Sequence, residues 1–255
     1  MPKIISYNIN GIRAALKKGF SNWLISVNPD IVCLQEIKAL KQDVSLEVFR
    51  RQGFSHVYWN AADKKGYSGT AVLSKIPAEY YNCCFSNSVT DNEGRVQVLR
   101  FNDFTLVNTY FPSGSSSEAR QKIKLNFLKD FHAIISSIKT SSPLIICGDL
   151  NICHQSVDIF DPVRNKEKPG FTKEERQWLS DFLSIHQLED VFRRYNPERI
   201  QYSWWSYITK AKERNAGWRI DYFLAESAFV RTKKPKVKYL QAVNFSDHCP
   251  VLLEF

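Results

Sequence analysis

No window of the chain strings together the ~18 uncharged apolar residues that a membrane-spanning helix requires, so no membrane partner is expected. The six cysteines (33, 83, 84, 147, 153 and 249) form no Cys-x-x-Cys pair, which leaves neither a zinc site nor a disulfide framework to read. Three of them sit in or beside apolar runs and read as reduced, mostly buried thiols. No stretch has linker composition and no segment repeats at a fixed period, so residues 1–255 are read as one domain. Lys3–Tyr7 is already strand-like, which leaves no room for a leader peptide, and a cytoplasmic location is expected. Acid is also in deficit: 26 Asp and Glu against 35 Lys and Arg leave a net charge of +9. The excess gathers in polar stretches at Arg120/Lys122/Lys124, Arg164/Lys166/Lys168, Lys210/Lys212/Arg214 and Arg231/Lys233/Lys234/Lys236/Lys238. Such a balance favours a polyanionic partner such as nucleic acid.

What is present is apolar substance: 44% hydrophobic residues, with 17 Phe, 11 Tyr and 6 Trp, enough for a large core. The organising stretch is Pro143–Asn151. Leu144, Ile145, Ile146 and Cys147 form an uninterrupted apolar run bounded by Pro143 and Gly148, the pattern of a strand buried on both faces. Asp149 and Asn151 follow at once, where such a strand surfaces. Taken alone, Gly-Asp-Leu-Asn reads equally as a strand-to-turn junction, because Gly, Asp and Asn all favour turns.

The rest of the chain repeats the device. Lys3–Tyr7 delivers Asn8 and Asn10; after a helix around Phe20–Val27, the apolar run Ile31–Gln35 ends in Glu36. Residues 43–52 read as helical with Gly53 as the stop, followed by strand-like His56–Trp59 and Thr70–Ser74. Arg95–Phe101 and Phe104–Tyr110 flank Asn102-Asp103, the spacing of an antiparallel hairpin. Ser115-x-x-Glu118 and Thr172-x-x-Glu175 both fit the capping box, and each precedes an amphipathic helix. Strands over Arg219–Ala225 and Pro250–Phe255 complete the chain, the second just after Ser246-Asp247-His248-Cys249. Hairpin-spaced strands and helix-flanked strands together predict an α/β fold of sheets packed on each other with helices outside.

Asn8, Asn10, Glu36, Tyr110, Asp149, Asn151, Asp221, Asp247 and His248 thus lie at or near strand ends, too dispersed for one helix or loop to gather. Carboxylates and amides without a Cys/His cluster suit Mg²⁺, or Mn²⁺, rather than zinc, with Glu36 the best-placed direct ligand. Phosphodiester hydrolysis needs charge on the phosphoryl oxygens offset, a water activated and a leaving oxygen stabilised. Asp149 is placed to activate the water with Asn151 helping to hold it, and His248 to donate to the phosphate with a carboxylate fixing its tautomer. Each residue also has a bland reading: turn residues for Asn8 and Asn10, a capping role for Asp247, a core histidine for His248, an arginine partner for Asp221.

The blocks Asn8–Arg13, Leu34–Lys38, Gly66–Thr70, Glu93–Val96, Tyr110–Gly114, Gly148–Asn151, Gly217–Phe223 and Ser246–Pro250, in this order, resemble the exonuclease III family of apurinic/apyrimidinic (AP) endonucleases, within the endonuclease/exonuclease/phosphatase superfamily. The resemblance spans essentially the whole chain. It implies a four-layer α/β sandwich, two packed mixed β-sheets flanked by helices, and Mg²⁺-dependent cleavage of duplex DNA 5′ to abasic sites. A 3′–5′ exonuclease or 3′-end-cleaning activity on blocked 3′ ends, and action as a monomer, go with it. By matching position, Glu36 resembles the metal ligand, with Asn10 close by and Asp247 near the metal. Asp149 resembles the water-activating residue, Asn151 and Asn8 its orienting amides, His248 the phosphate-contacting histidine, Asp221 its carboxylate, and Tyr110 the phosphate-side tyrosine. Trp204, Trp218 and Ile220 resemble the pocket for the flipped-out abasic sugar, and Asn165 a further active-site amide. Trp205 is assigned to the core. An extruded sugar without a base costs least to unpair, and the basic loops would grip phosphates without reading sequence.

Departures from the family pattern carry expectations of their own. Asn10 stands where some members carry Asp, which argues against a second metal site. Ser113 and Gly114 replace the Asn or Gln of other members. The chain starts at the catalytic fold, so neither the redox role nor the nuclear targeting of animal relatives is expected. The Tyr-Ser-Trp-Trp-Ser-Tyr block resembles the branch dominated by AP-endonuclease activity. Two other readings compete: a nucleic-acid-binding regulator of the same fold without hydrolysis, and a phosphoesterase acting on inositol phosphates or lipid headgroups.

Overall fold

The computed structural model describes residues 2–86, 88–138 and 141–255. In chain order the elements are β1 (Lys3–Asn8), α1 (Ile12–Lys17), α2 (Phe20–Val27), β2 (Ile31–Gln35), α3 (Glu47–Arg50), β3 (His56–Asn60), β4 (Thr70–Ser74) and β5 (Tyr80–Asn82). Then come α4 (Ser88–Asn92), β6 (Val96–Arg100), β7 (Thr105–Tyr110), α5 (Glu118–Ser137), β8 (Leu144–Asp149), α6 (Pro162–Asn165) and α7 (Lys173–Ile185). The chain closes with β9 (Leu188–Asp190), α8 (Val191–Tyr195), β10 (Asp221–Glu226), α9 (Ser227–Lys233), β11 (Lys236–Tyr239) and β12 (Val251–Glu254).

These strands build two six-stranded sheets, β11-β12-β1-β2-β4-β3 and β5-β6-β7-β8-β10-β9. Each carries a single parallel pair at its centre, β1 with β2 and β7 with β8, the other pairs being antiparallel. A parallel pair needs a crossover, supplied by α1 and α2 in one sheet and by α5 in the other. The apolar runs are continuous because these strands are buried on both faces. In β8, Ile145 and Cys147 enter the cluster between the sheets, while Leu144 and Ile146 pack under Phe127, Phe131, Leu179 and Phe182 of α5 and α7. In β2, Ile31 and Cys33 face inward while Val32 and Leu34 pack under Phe20 and Leu24 of α2. The layers are therefore helix, sheet, sheet, helix, as expected. Gln35 and Asn108 bond across the sandwich at 2.7 Å, and Asn108 also donates to Gln97, Leu34 and Ala71, fixing one sheet against the other.

Four local expectations change. The helix over 43–52 is a 3₁₀ turn at Lys41–Asp43 and a single turn at Glu47–Arg50. The cap of α5 is Ser117, whose side chain accepts from the Arg120 N–H, rather than Ser115. The strand expected from Arg219 begins at Asp221, because the Arg219 N–H bonds Asp158 O at 2.7 Å. Lys124 of the first basic stretch is fully buried and presents no charge to a surface ligand. Thr172 caps α7 in the full reciprocal box with Glu175, as the sequence indicates. All six cysteines are free, with Cys33, Cys147, Cys153 and Cys249 buried. Among the described residues no helix is long and apolar enough to cross a membrane.

Candidate active site

The register sets the site. Tyr110 and Asp221 both pair with Asp149, Asn8 pairs with Gln35, and β12 runs back along β1. The C-terminal ends of β1, β2, β7 and β8 therefore surface beside the N-terminal ends of β10 and β12. Gly148 is required on this edge: a Cβ there would sit 1.8 Å from Thr109 O of the neighbouring strand. Past the strand ends the backbone turns sharply, with Asn10, Glu36 and Asn151 at φ 45°, 51° and 51°. Asn tolerates this left-handed region, whereas for Glu36 it costs about 1–2 kcal/mol, the kind of local strain that functional sites retain.

Asn8, fully buried, bridges the two sheets: its Nδ2 donates to Glu36 Oε1 at 2.8 Å and to Asp149 Oδ2 at 2.9 Å. Asp149 Oδ1 accepts the Asn151 N–H at 2.8 Å, and Asn151 Nδ2 reaches Phe111 O at 3.0 Å and Asp149 Oδ2 at 3.3 Å. His248 Nδ1 lies 2.8 Å from Asp221 Oδ2, and its Nε2 lies 3.8 Å from Asp149 Oδ2. The Asp221 N–H donates to Ser203 Oγ at 3.1 Å. Asp221 is thus the histidine's partner, while Arg219 pairs with Asp158 and Asp190.

Electrostatics follow from this crowding. Burial, then the charge of Asp221, pushes the Asp149 carboxyl up to about 7, against the pull of His248 and Asn8. Burial alone would lower His248, but Asp221, followed by Asp149 and Asp247, raises it to about 10. Burial likewise works against Glu36, yet Lys38 at 2.8 Å and the Asn8 amide hold it below the usual carboxylate range. Tyr110 is pushed well up by burial and then by the Glu36 charge, so at neutral pH it is a phenol and a donor.

Glu36, Tyr110, Asp149, Asn151, Asp247 and His248 face a cleft of about 530 Å³, whose apolar wall is Trp204, Trp218 and Ile220. The two indoles meet edge to face at 6.0 Å, while Trp205 is buried in a separate cluster. Among the described residues, one cluster offers at least three ligand atoms within 4.8 Å of one another: Glu36, Asp149 and His248. Its two carboxylates and absent thiols suit a hard divalent cation, and Glu36 is its most accessible member. Asp247 lies outside that cluster; its Oδ1 accepts from Asn10 Nδ2 at 2.8 Å and its Oδ2 from the Trp204 indole at 2.9 Å. Asn165 does not join the cleft wall; its Nδ2 is turned to the carbonyls of Phe160 and Asp161.

Two participants went unassigned in the sequence. Lys38 pairs with Glu36 and bonds Asn10 Oδ1. Arg95 is fully buried, its guanidinium 4.6 Å from the Tyr110 ring centre and its Nη1 bonded to Tyr110 O at 2.8 Å. Both stand inside recognisable blocks, but position in a block does not say what a side chain touches.

The family model described as the Endonuclease/Exonuclease/phosphatase family matches residues 5–248. The chain is 38% identical over 253 residues to an exodeoxyribonuclease of Bacillus subtilis, covering 98% of each chain. It is 36% identical over 253 residues to the DNA repair nuclease APEX1 of Danio rerio, covering 98% of this chain and 81% of that protein. Among solved structures, an AP endonuclease from Archaeoglobus fulgidus matches with a TM-score of 0.88 at 26% identity, covering 100% of this chain and 99% of that one. A 3′ phosphatase from Neisseria, bound to a product DNA hairpin, matches with a TM-score of 0.90 at 27% identity and the same coverage. The order of blocks, the two-sheet topology and these full-length likenesses agree, and the chain belongs to the endonuclease/exonuclease/phosphatase family, among its exonuclease III-like AP endonucleases.

Proposed function

We propose that this enzyme hydrolyses the phosphodiester 5′ to abasic sites in duplex DNA with Mg²⁺, Mn²⁺ being the alternative, and trims blocked 3′ ends at the same site. The observation that carries the reading is the pairing of Asp149 and His248, 3.8 Å apart, with the apolar wall of Trp204, Trp218 and Ile220 on the same cleft. The pair supplies acid–base chemistry. The wall fits a sugar that has lost its base, which offers an apolar face and costs little to extrude.

Asp149 would take a proton from the attacking water. A carboxyl raised to about 7 is a stronger base than an ordinary one, and Asn8 and Asn151 fix its orientation through both oxygens. His248, doubly protonated at neutral pH, would donate from Nε2 to a phosphoryl oxygen while Asp221 holds Nδ1. Tyr110 would donate a second hydrogen bond, with its ring held against Arg95. A divalent cation held by Glu36 would supply positive charge to the phosphoryl and leaving oxygens. The exposed lysines and arginines of 164–168 and 210–214 would hold the flanking phosphates.

The test is an end-labelled duplex with one central tetrahydrofuran abasic analogue, incubated with Mg²⁺ or EDTA beside an undamaged control. One Mg²⁺-dependent product cut at the lesion is expected. A ladder shortening from the 3′ ends of both duplexes would make the enzyme chiefly an exonuclease. Tight binding without cleavage would overturn the hydrolytic reading in favour of a binding module.

A further inference from the structure

We propose that Lys124 is a positioning residue for hydrolysis: its buried ammonium holds the Asn151 turn, and through Glu175 ties that turn to the wall of the aromatic pocket. The inference rests on the hydrolytic reading above for its kinetic consequence, though not for its structural one.

Lys124 lies on α5 at the back of the catalytic cleft with no exposed surface. Its Nζ donates to Asn151 O at 2.7 Å and pairs with Glu175 Oε1 at 2.5 Å. Glu175, also fully buried, uses Oε2 to accept the Gly170 N–H at 2.8 Å, the Thr172 N–H at 3.1 Å and the Thr172 hydroxyl at 2.8 Å. Gly170 in turn touches both halves of the cleft. At φ 95° it packs so closely that a Cβ would lie 2.9 Å from the Trp218 ring and 3.0 Å from Asn151 O, and its carbonyl accepts the Cys153 N–H at 2.7 Å. One carboxylate therefore gathers the lysine that grips the catalytic turn and the backbone that abuts the pocket tryptophan.

The cap of α7 does not need the lysine, because Oε2 alone completes it and Thr172 closes the other half. What Lys124 adds is a donor for Asn151 O. A buried ion pair is a poor way to gain stability, since desolvation offsets most of the attraction, and an apolar side chain could fill a helix position facing a core. A positive charge kept there is better explained by what it holds. Asn151 is in a left-handed turn at φ 51°, and its N–H and Nδ2 are two of the three amide donors, with Asn8 Nδ2, that orient Asp149. An unpinned turn would let both donors drift, and a displacement of about 1 Å at a reacting group can cost about a hundredfold in rate. Lys124 is not a phosphate ligand on this account, because its ammonium is engaged by the protein.

The experiment uses the full chain as wild type, Lys124→Met, Lys124→Arg and Glu175→Gln, the last keeping the shape of the pair should the methionine variant fail to fold. Amide hydrogen exchange over 149–153 is read in the free protein, and kcat and KM are read on the tetrahydrofuran duplex. In Lys124→Met, exchange over 149–153 is expected to rise about tenfold or more with β1 and β2 unchanged. In the same variant kcat should fall about 10- to 100-fold with KM within about threefold, and Lys124→Arg should recover part of it. Glu175→Gln should lie between. Unchanged exchange over 149–153 in the folded variants overturns the inference, as does a lower melting temperature with unchanged kcat. If the wild type does not cleave the duplex, the hydrolytic reading fails, and the exchange data alone decide whether Lys124 holds the turn.

Discussion

Replacing Asp221 by Asn preserves shape and one acceptor but deletes the charge 2.8 Å from His248 Nδ1. That charge is the leading cause of the histidine's rise from 6.5 to about 10, acting against burial. Without it, only Asp149 and Asp247 still raise the ring against burial, and His248 should fall from about 10 toward its ordinary value. An imidazole titrating near 6.5 is charged in about 3% of molecules at pH 8 and in about three-quarters at pH 6. For an imidazole at that value, the proton-donating form that the proposed role of His248 requires drops about thirtyfold at pH 8 and little at pH 6. The same deletion relieves Asp149, which Asp221 helps to push up, so the base is freed at lower pH and both limbs of the profile move acidward. The assay is kcat/KM from pH 5.5 to 9.5 for wild type and Asp221→Asn on an abasic duplex, alongside the NMR titration of the His248 ring. A variant-to-wild-type ratio independent of pH, or a His248 that still titrates near its wild-type value, would refute the electrostatic role and leave Asp221 an orienting group only.

Trp218→Ala removes one side of the apolar wall and should weaken binding of an abasic duplex by about 1–3 kcal/mol, with binding to undamaged duplex unchanged by fluorescence anisotropy. Asp158, fully buried, pairs with Arg219 at 2.7 Å and with Arg193; Asp158→Asn should cost about 3–5 kcal/mol by leaving the guanidiniums short of a charge. Burial works against Asp158, but Arg219 outweighs it and holds the carboxyl below its usual range. A folded value below the unfolded ~3.9 gives stability present above that pH and lost as pH falls through the lower folded value, so calorimetry should show the wild type's advantage over Asp158→Asn shrinking below about pH 4.

The parts of this molecule most legible in its sequence are those where local pattern and tertiary role coincide. Leu144–Cys147 reads as a doubly buried strand and is one, because both of its faces are covered. Asn8, Glu36, Asp149 and His248 were visible as polar residues at the ends of apolar runs, since the sheet edge is where those runs surface. Ser115, Ser116 and Ser117 offer the same hydroxyl, and the cap of α5 is Ser117 because its side chain is the one that accepts the Arg120 N–H. The segment 43–52 packs on the core through Val44, Leu46, Val48 and Phe49 without forming one continuous helix, and its apolar pattern alone does not show where the helical turns stop. Lys124 reads as surface charge, Glu175 only as the cap partner of Thr172, and Arg95 as a residue without a role, for a different reason. Their partners lie far along the chain or on another element, and a charged residue in a basic or helical stretch carries no local sign that it is buried.

The central claim is that Asp149, oriented by Asn8 and Asn151, performs the hydrolytic proton transfer. The most direct measurement is single-turnover cleavage of a tetrahydrofuran duplex by wild type and Asp149→Asn, with affinity for the same duplex measured in EDTA. A loss of about a thousandfold in rate is expected with affinity within about threefold, because Asn keeps the shape of the side chain while losing the base. A variant that cleaves at near the wild-type rate would contradict it.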